Sequence, residues 1–297
     1  MPGLSPVPGT RPTLDTVAPW VFVALWSTGF VGAHYAGDAG PFSFLTVRLV
    51  AAAAILAAVA RARGEAWPVG RRAWADLGLA GLGVHAVYLS GVFWSIGNGL
   101  PAGLSSLIAG LHPVVTSVAA RVALGERLTA RQWAGVGLGF TGVAVVVGDK
   151  LSAGGAEASW PAVVAMGLSV VGMSAGTLWQ RARNSAQPML TGTAVQYLGS
   201  AAVLAVLAVT VEGWDVTVTP SFVFAEIWSV VVLSCGAVLL MNLLLARRAA
   251  ARVSTLFFLT PALSAAAGAV LYGERLGWIA LPGLAVSAVG VALTNRR

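Results

Sequence analysis

Ten stretches of predominantly apolar residues, each close to the roughly 20 residues a helix needs to cross a bilayer, confine this chain to a membrane fold. They run Ala18 to Ala36, Pro41 to Ala60, Leu77 to Ile96, Ala102 to Ala123 and Thr129 to Val147, followed after a polar break by five more. These are Trp160 to Gln180, Met189 to Val211, Ile227 to Ala246, Val253 to Tyr272 and Trp278 to Thr294. Only 10% of residues are charged, against about 25% in soluble domains, so lipid is the solvent. The 36 glycines agree, because small residues let membrane helices approach closely but weaken helices in water. The expected fold is an all-α polytopic membrane protein with ten transmembrane helices.

Local punctuation supports these spans. Pro41 and Pro101 stand where a helix can spare its first N–H, Thr129 and Gln132 form a capping-box pattern, and Gly125 and Gly273 suit positions just past helix ends. Residues 1–16, with four prolines and no apolar core, read as a flexible cytoplasmic tail and not as a cleavable signal peptide. Residues 149–158 read as a loop between five spans over 17–148 and five over 159–297. The single Cys235 lies in an apolar run, which excludes an intrachain disulfide and marks it as a packing residue.

The net charge of +7 does not indicate nucleic acid, because the cations fall in short clusters between apolar runs and form no single stripe. Arg11, Arg61, Arg63, Arg71, Arg72, Arg121, Arg127, Arg131, Arg181, Arg183, Arg247, Arg248, Arg252, Arg296 and Arg297 all fall on one side of the membrane. The other side holds Lys150 and Arg275, and Arg48 lies within a span. The positive-inside rule then puts both termini in the cytoplasm.

The two halves align without gaps when 148 is added to each number from Ser106 to Ala144. Ser106, Leu111 and Pro113 meet Ser254, Leu259 and Pro261, and Gly125-Glu126-Arg127-Leu128 meets Gly273-Glu274-Arg275-Leu276. Gly135, Gly142, Val143 and Ala144 meet Gly283, Gly290, Val291 and Ala292. Each repeat holds five spans, an odd number, so the second copy enters the membrane from the opposite side. Inverted repeats are the architecture that alternating access uses, since exchanging their conformations moves a central site from one side to the other.

Ala24, Leu25, Trp26, Ser27 and Phe30 in the first span, Pro41 with Arg48 in the second, and the paired motifs from Pro113 and Pro261 together resemble the ten-helix EamA-type transporters of the drug/metabolite transporter superfamily. The resemblance covers nearly everything after the tail, and its motifs speak for the scaffold and not for the substrate. It implies export of amino acids or other small metabolites from a cell inner membrane, and a central cavity lined by spans one, three, four, six, eight and nine. It also implies that Arg48 is a recurrent feature. No cofactor or metal is expected.

Polar residues at mid-span are the natural pointers to a cavity, because each is costly in lipid. His85 and Tyr88 share a face of span three, and Ser105, Ala109, His112 and Thr116 form a small and polar stripe along span four. Thr260, Pro261 and Ser264 lie at the matching depth of span nine, and Ser27, Phe30 and His34 share a face of span one, beside Trp26. Pro113 and Pro261 each break a backbone bond, which suits a broken helix that offers carbonyls to a ligand, a kink that fits a neighbour, or a gating hinge. For His85 and His112 the readings are helix-to-helix hydrogen bonding or substrate and proton handling. Arg48 is expected to snorkel outward or to meet a structural partner such as Asp38, and Glu126, Arg127, Glu274 and Arg275 are expected to serve helix ends. No Asp or Glu falls at mid-depth of these spans, so a carboxylate relay is not expected.

The leading reading is therefore a secondary transporter whose partners are a small-molecule substrate and the lipid bilayer, with no nucleic acid; the spans do not fix whether it is a monomer or a homodimer. An intramembrane enzyme would need Ser105 or Ser106 with His85, and no catalytic motif orients such a pair. A receptor or scaffold would need no cavity that solvent can reach.

Overall fold

The computed structural model describes residues 12–35, 39–125, 127–152, 159–183, 188–214, 216–238, 240, 260–274 and 277–295. They form ten helical rods: α1 (Pro12–Tyr35), α2 (Pro41–Ala62), α3 (Arg71–Gly97), α4 (Ala102–Ala109 and His112–Leu124), α5 (Ala130–Ser152), α6 (Trp160–Arg183), α7 (Met189–Val211), α8 (Pro220–Ala237), α9 (Thr260–Tyr272) and α10 (Ala280–Asn295). The protein is an all-α polytopic membrane protein. Side chains such as Val50, Phe140, Leu168, Val206, Val231 and Val289 are exposed on its outside, where lipid is their natural neighbour.

The helix ends follow local chemistry. Pro41 sits in the first turn of α2, where its missing N–H costs nothing. At the start of α5 the Thr129 N–H donates to Gln132 Oε1 at 2.9 Å and the Gln132 N–H donates to Thr129 Oγ1 at 3.3 Å, which completes the capping box. Gly125 closes α4 in the left-handed region with φ 69°, and Gly273 follows α9 with φ 68°, conformations that a side chain would strain. Pro101 stands immediately before α4. The predicted tail and loop were too long, since Pro12–Thr16 is the first turn of α1 and Asp149–Ser152 extends α5.

The 148-residue offset governs the whole architecture. It relates the starts of α1 and α6 (Pro12, Trp160) and of α2 and α7 (Pro41, Met189), and the ends of α4 and α9 (Leu124, Tyr272). Packing obeys the same exchange: α2 lies along α7 and α5 along α10, α1 packs on α8 and α9, and α6 packs on α3 and α4.

Two carboxylates show that α2 and α7 run antiparallel, because each stands at the end of one helix and caps the start of the other. Glu65, just past α2, accepts the N–H groups of Leu190 and Thr191 at 2.8 and 2.9 Å. Glu212, just past α7, accepts those of Phe42 and Ser43 at 2.9 and 2.8 Å. Both neutralise N–H groups that a helix cannot satisfy itself and complement the positive end of its dipole. A third, Glu274 after α9, accepts the Ala102 N–H that starts α4 at 2.8 Å, in keeping with the helix-end role expected of it. Arg127 is exposed on the arginine-rich face, and Glu126 and Arg275 lie outside the described residues. Replacing Glu212 by Ala should uncap α2 and cost about 1–2 kcal/mol, read as a lower thermal midpoint in detergent. An unchanged midpoint would contradict the capping role.

Candidate functional site

Between the two repeats lies a cavity of about 80 Å³, room for several waters. Its described lining comes from α1 (Trp26, Phe30), α2 (Arg48), α3 (His85, Tyr88, Phe93), α6 (Met173), α7 (Tyr197) and α8 (Leu233, Ser234). The walls of α3 and α8 share a feature. Each rod contains a π-helical stretch, Leu82–Val87 in α3 and Trp228–Ala237 in α8, and adding 148 carries the first inside the second. A π turn widens the helix and re-aims its side chains, and here it turns His85 and Ser234 toward the space between the repeats.

Two cross-repeat links hold this centre. Arg48 of α2 donates from Nε to Ser234 Oγ at 2.9 Å, and Gln196 of α7, its equivalent under the 148-residue offset, meets His85 Nε2 at 3.3 Å. Each repeat's second helix thus reaches the π stretch of the other repeat. Tyr197 joins both links: its hydroxyl donates to the Ser234 carbonyl at 2.9 Å, and its ring meets the His85 ring edge-on at 4.6 Å. Arg48 is 6% exposed, and its guanidinium lies 5.9 Å from the centroid of Phe93, a favourable cation–π placement. Among the described residues it has no carboxylate in ion-pair contact. Snorkelling is thereby overturned, because the stem runs inward to Ser234; Asp38 lies outside the described residues.

The predicted site residues separate into two groups. Trp26, Phe30, His85 and Tyr88 line the cavity with Arg48. Ser27, Ser105, His112, Thr260 and Ser264 are absent from its described lining, because helix packing takes them. Ser27 Oγ donates to Val23 O at 2.7 Å, and Ser264 Oγ donates to Ser27 O at 3.1 Å, tying α9 to α1. His112 Nε2 stands 3.4 Å from Thr177 Oγ1, and Thr116 donates to Ser174 Oγ at 3.1 Å, tying α4 to α6. Ser105 and Thr260 are buried, with hydroxyls that meet no hydrogen-bond partner among the described residues. Spans four and nine therefore give way to α2 and α7 in the described lining. The side chain of His34 lies outside the described ones.

Pro113 does mark a discontinuity. The first part of α4 ends at Ala109, Gly110 and Leu111 form a turn, and the second part runs His112–Leu124 with Pro113 in its opening turn. Pro261 holds the same place near the start of the described part of α9.

Three residues of the centre, Phe93, Tyr197 and Ser234, were not singled out from sequence, nor was Glu226, which is buried in α8 outside the described lining. Glu226 falls inside a span and not before it, because α8 begins at Pro220 and not near Ile227, with Thr219 Oγ1 capping the Phe222 N–H at 3.2 Å; it lies in the second turn and not at mid-depth. The Thr-Pro pair is the signal that could have found it.

A model of the EamA-like transporter family matches residues 19–148 and again 160–296. An uncharacterized transporter, YvbV, of Bacillus subtilis (strain 168) is 28% identical over 202 residues, which span 67% of this chain and 65% of that protein. The WAT1-related protein At3g02690, chloroplastic, of Arabidopsis thaliana is 26% identical over 296 residues, 94% of this chain and 68% of its own length. A solved structure described only as "Crystal structure of protein" superimposes with a TM-score of 0.65 at 21% identity, covering 95% of this chain and 96% of its own, and it supports the fold alone. Two family matches in one chain, each on five of its ten helices, identify a membrane transporter: the chain belongs to the EamA-like transporter family of the drug/metabolite transporter superfamily.

Proposed function

We propose that this transporter exports amino acids with apolar side chains from the cytoplasm across a bacterial inner membrane, by alternating exposure of the cavity between its two repeats. The observation that carries the reading is Arg48: a buried guanidinium at the cavity wall with no carboxylate in ion-pair contact among the described residues. A buried cation without a partner is costly, and a substrate carboxylate is the natural counter-charge. Trp26, Phe30, Tyr88 and Phe93 beside it suit an apolar side chain. Release to either side requires the repeats to part in turn, as alternating access demands. The arginine-rich face is assigned to the cytoplasm, with both termini there. Ser105 and Ser106, the nucleophiles an enzyme would need, are buried away from the described lining.

Counterflow in proteoliposomes tests the reading. Vesicles preloaded with L-leucine or L-phenylalanine should accumulate the same labelled amino acid, and empty-loaded vesicles should not. Equal signals from vesicles with and without protein, across a panel of apolar amino acids, would overturn it.

A further inference from the structure

Arg48 is not the only buried charge in this region. Glu226 is 8% exposed, and neither carboxylate oxygen has a hydrogen-bond partner among the described residues. The hydroxyl of Ser229, three residues on along the same face of α8, is likewise buried and unbonded. Phe222, one turn outward, packs edge-on against Phe44 of α2, with ring centroids 5.7 Å apart. Because α2 and α8 run parallel from the arginine-poor face, a step of four residues from that pair brings Glu226 level with Arg48. Among the described residues the two form no ion pair, and neither Glu226 oxygen is hydrogen-bonded.

We propose that Glu226 is the cation site of the transport cycle, occupied in turn by the substrate's ammonium group and by a proton. The proposal rests on the amino-acid reading of the cavity. Arg48 stands on the cavity wall and Glu226 is buried outside the described lining; once the repeats part, the two charges match a zwitterion, with its carboxylate on Arg48 and its ammonium on Glu226. A proton taken from water on the arginine-poor side forms an O–H bond on Glu226 and removes the charge that holds the ammonium. Substrate and proton therefore exclude each other, which couples them with negative sign. Exchange follows, and protons moving inward drive the amino acid outward. The charged and titratable groups on the helices packed against this part of α8 are Arg48 on α2, with Arg61 at its far end, and on α1 Asp15, His34 and Tyr35, whose side chains lie outside the described ones.

The test uses liposomes containing the full chain, with L-phenylalanine and N-acetyl-L-phenylalanine as probes. An acid exterior should accelerate efflux of L-phenylalanine and the movement should alkalinise the exterior, whereas the acetylated probe, lacking an ammonium, should move no protons. Glu226→Gln should raise KM at least about tenfold and abolish the response to the pH gradient, and Glu226→Asp should restore that response. Gradient-driven efflux that survives in Glu226→Gln, or an acid exterior that draws L-phenylalanine inward, would overturn the proposal. Infrared difference spectra of the purified protein give a reading free of substrate: a neutral carboxyl band should vanish as pH rises and be missing from Glu226→Gln. With counterflow intact, a band that is absent or does not titrate overturns this proposal alone. A titrating band with no counterflow of L-phenylalanine overturns the amino-acid reading, and this proposal with it.

Discussion

Arg48→Met should lower the apparent affinity for amino acid by at least about thirtyfold, because removing one partner of a buried charge pair costs about 2–5 kcal/mol. The fold should tolerate the change. Methionine fills a similar volume and removes a buried charge that has no ion pair among the described residues, so the protein should stay folded in detergent. Arg48→Lys should recover only part of the affinity, since an ammonium cannot keep the Nε bond to Ser234 Oγ and also present a planar fork to a carboxylate. Counterflow by Arg48→Met at the wild-type KM would remove the observation on which the proposed substrate rests.

Gly142→Leu should strongly destabilise the protein. At Gly142 a Cβ would lie 2.5 Å from the backbone nitrogen of Ser287 and 2.6 Å from the carbonyl oxygen of Gly283. Backbone atoms cannot rotate aside, so α5 and α10 would have to separate, at about 3 kcal/mol. The contact is built from both repeats: Gly135, Gly139 and Gly142 face Gly283, Ser287 and Gly290, the same positions displaced by 148. Gly137, five residues before Gly142 on the exposed side with nothing within 4 Å, supplies the control, and Gly137→Leu should leave the protein intact. Fluorescence-detected size exclusion after heating would measure both, and equal midpoints for the two variants would refute the packing role.

The scaffold was legible in the sequence because its signals are local. Apolar runs, the Thr129–Gln132 box and the two Gly-Glu-Arg-Leu turns each act within a few residues, and an odd number of spans per repeat forces the inversion. The centre was legible only where a side chain had one plausible use. His85 and Tyr88 have no other polar neighbour on their face of α3 and do line the cavity. The stripe through Ser105 and His112 misled, since small and polar residues serve helix contact as readily as water, and α6 and α9 claim that face. Arg48 could not be placed from sequence because its partner, Ser234, is 186 residues away, and the π stretches that aim Ser234 and His85 have no composition of their own. Glu226 was lost to a boundary: starting span eight at Ile227 left it in a loop, although Thr219-Pro220 marks the true start.

Alternating access to one cavity bounded by both repeats is tested most directly by cysteine labelling. In a chain whose Cys235 is replaced by Ala, Val84→Cys and Met173→Cys put single thiols on cavity walls that belong to different repeats. An impermeant maleimide should reach each of them from either side of the membrane, and added L-phenylalanine should slow both reactions. Labelling of both thiols from one side only, under every condition, would contradict the account.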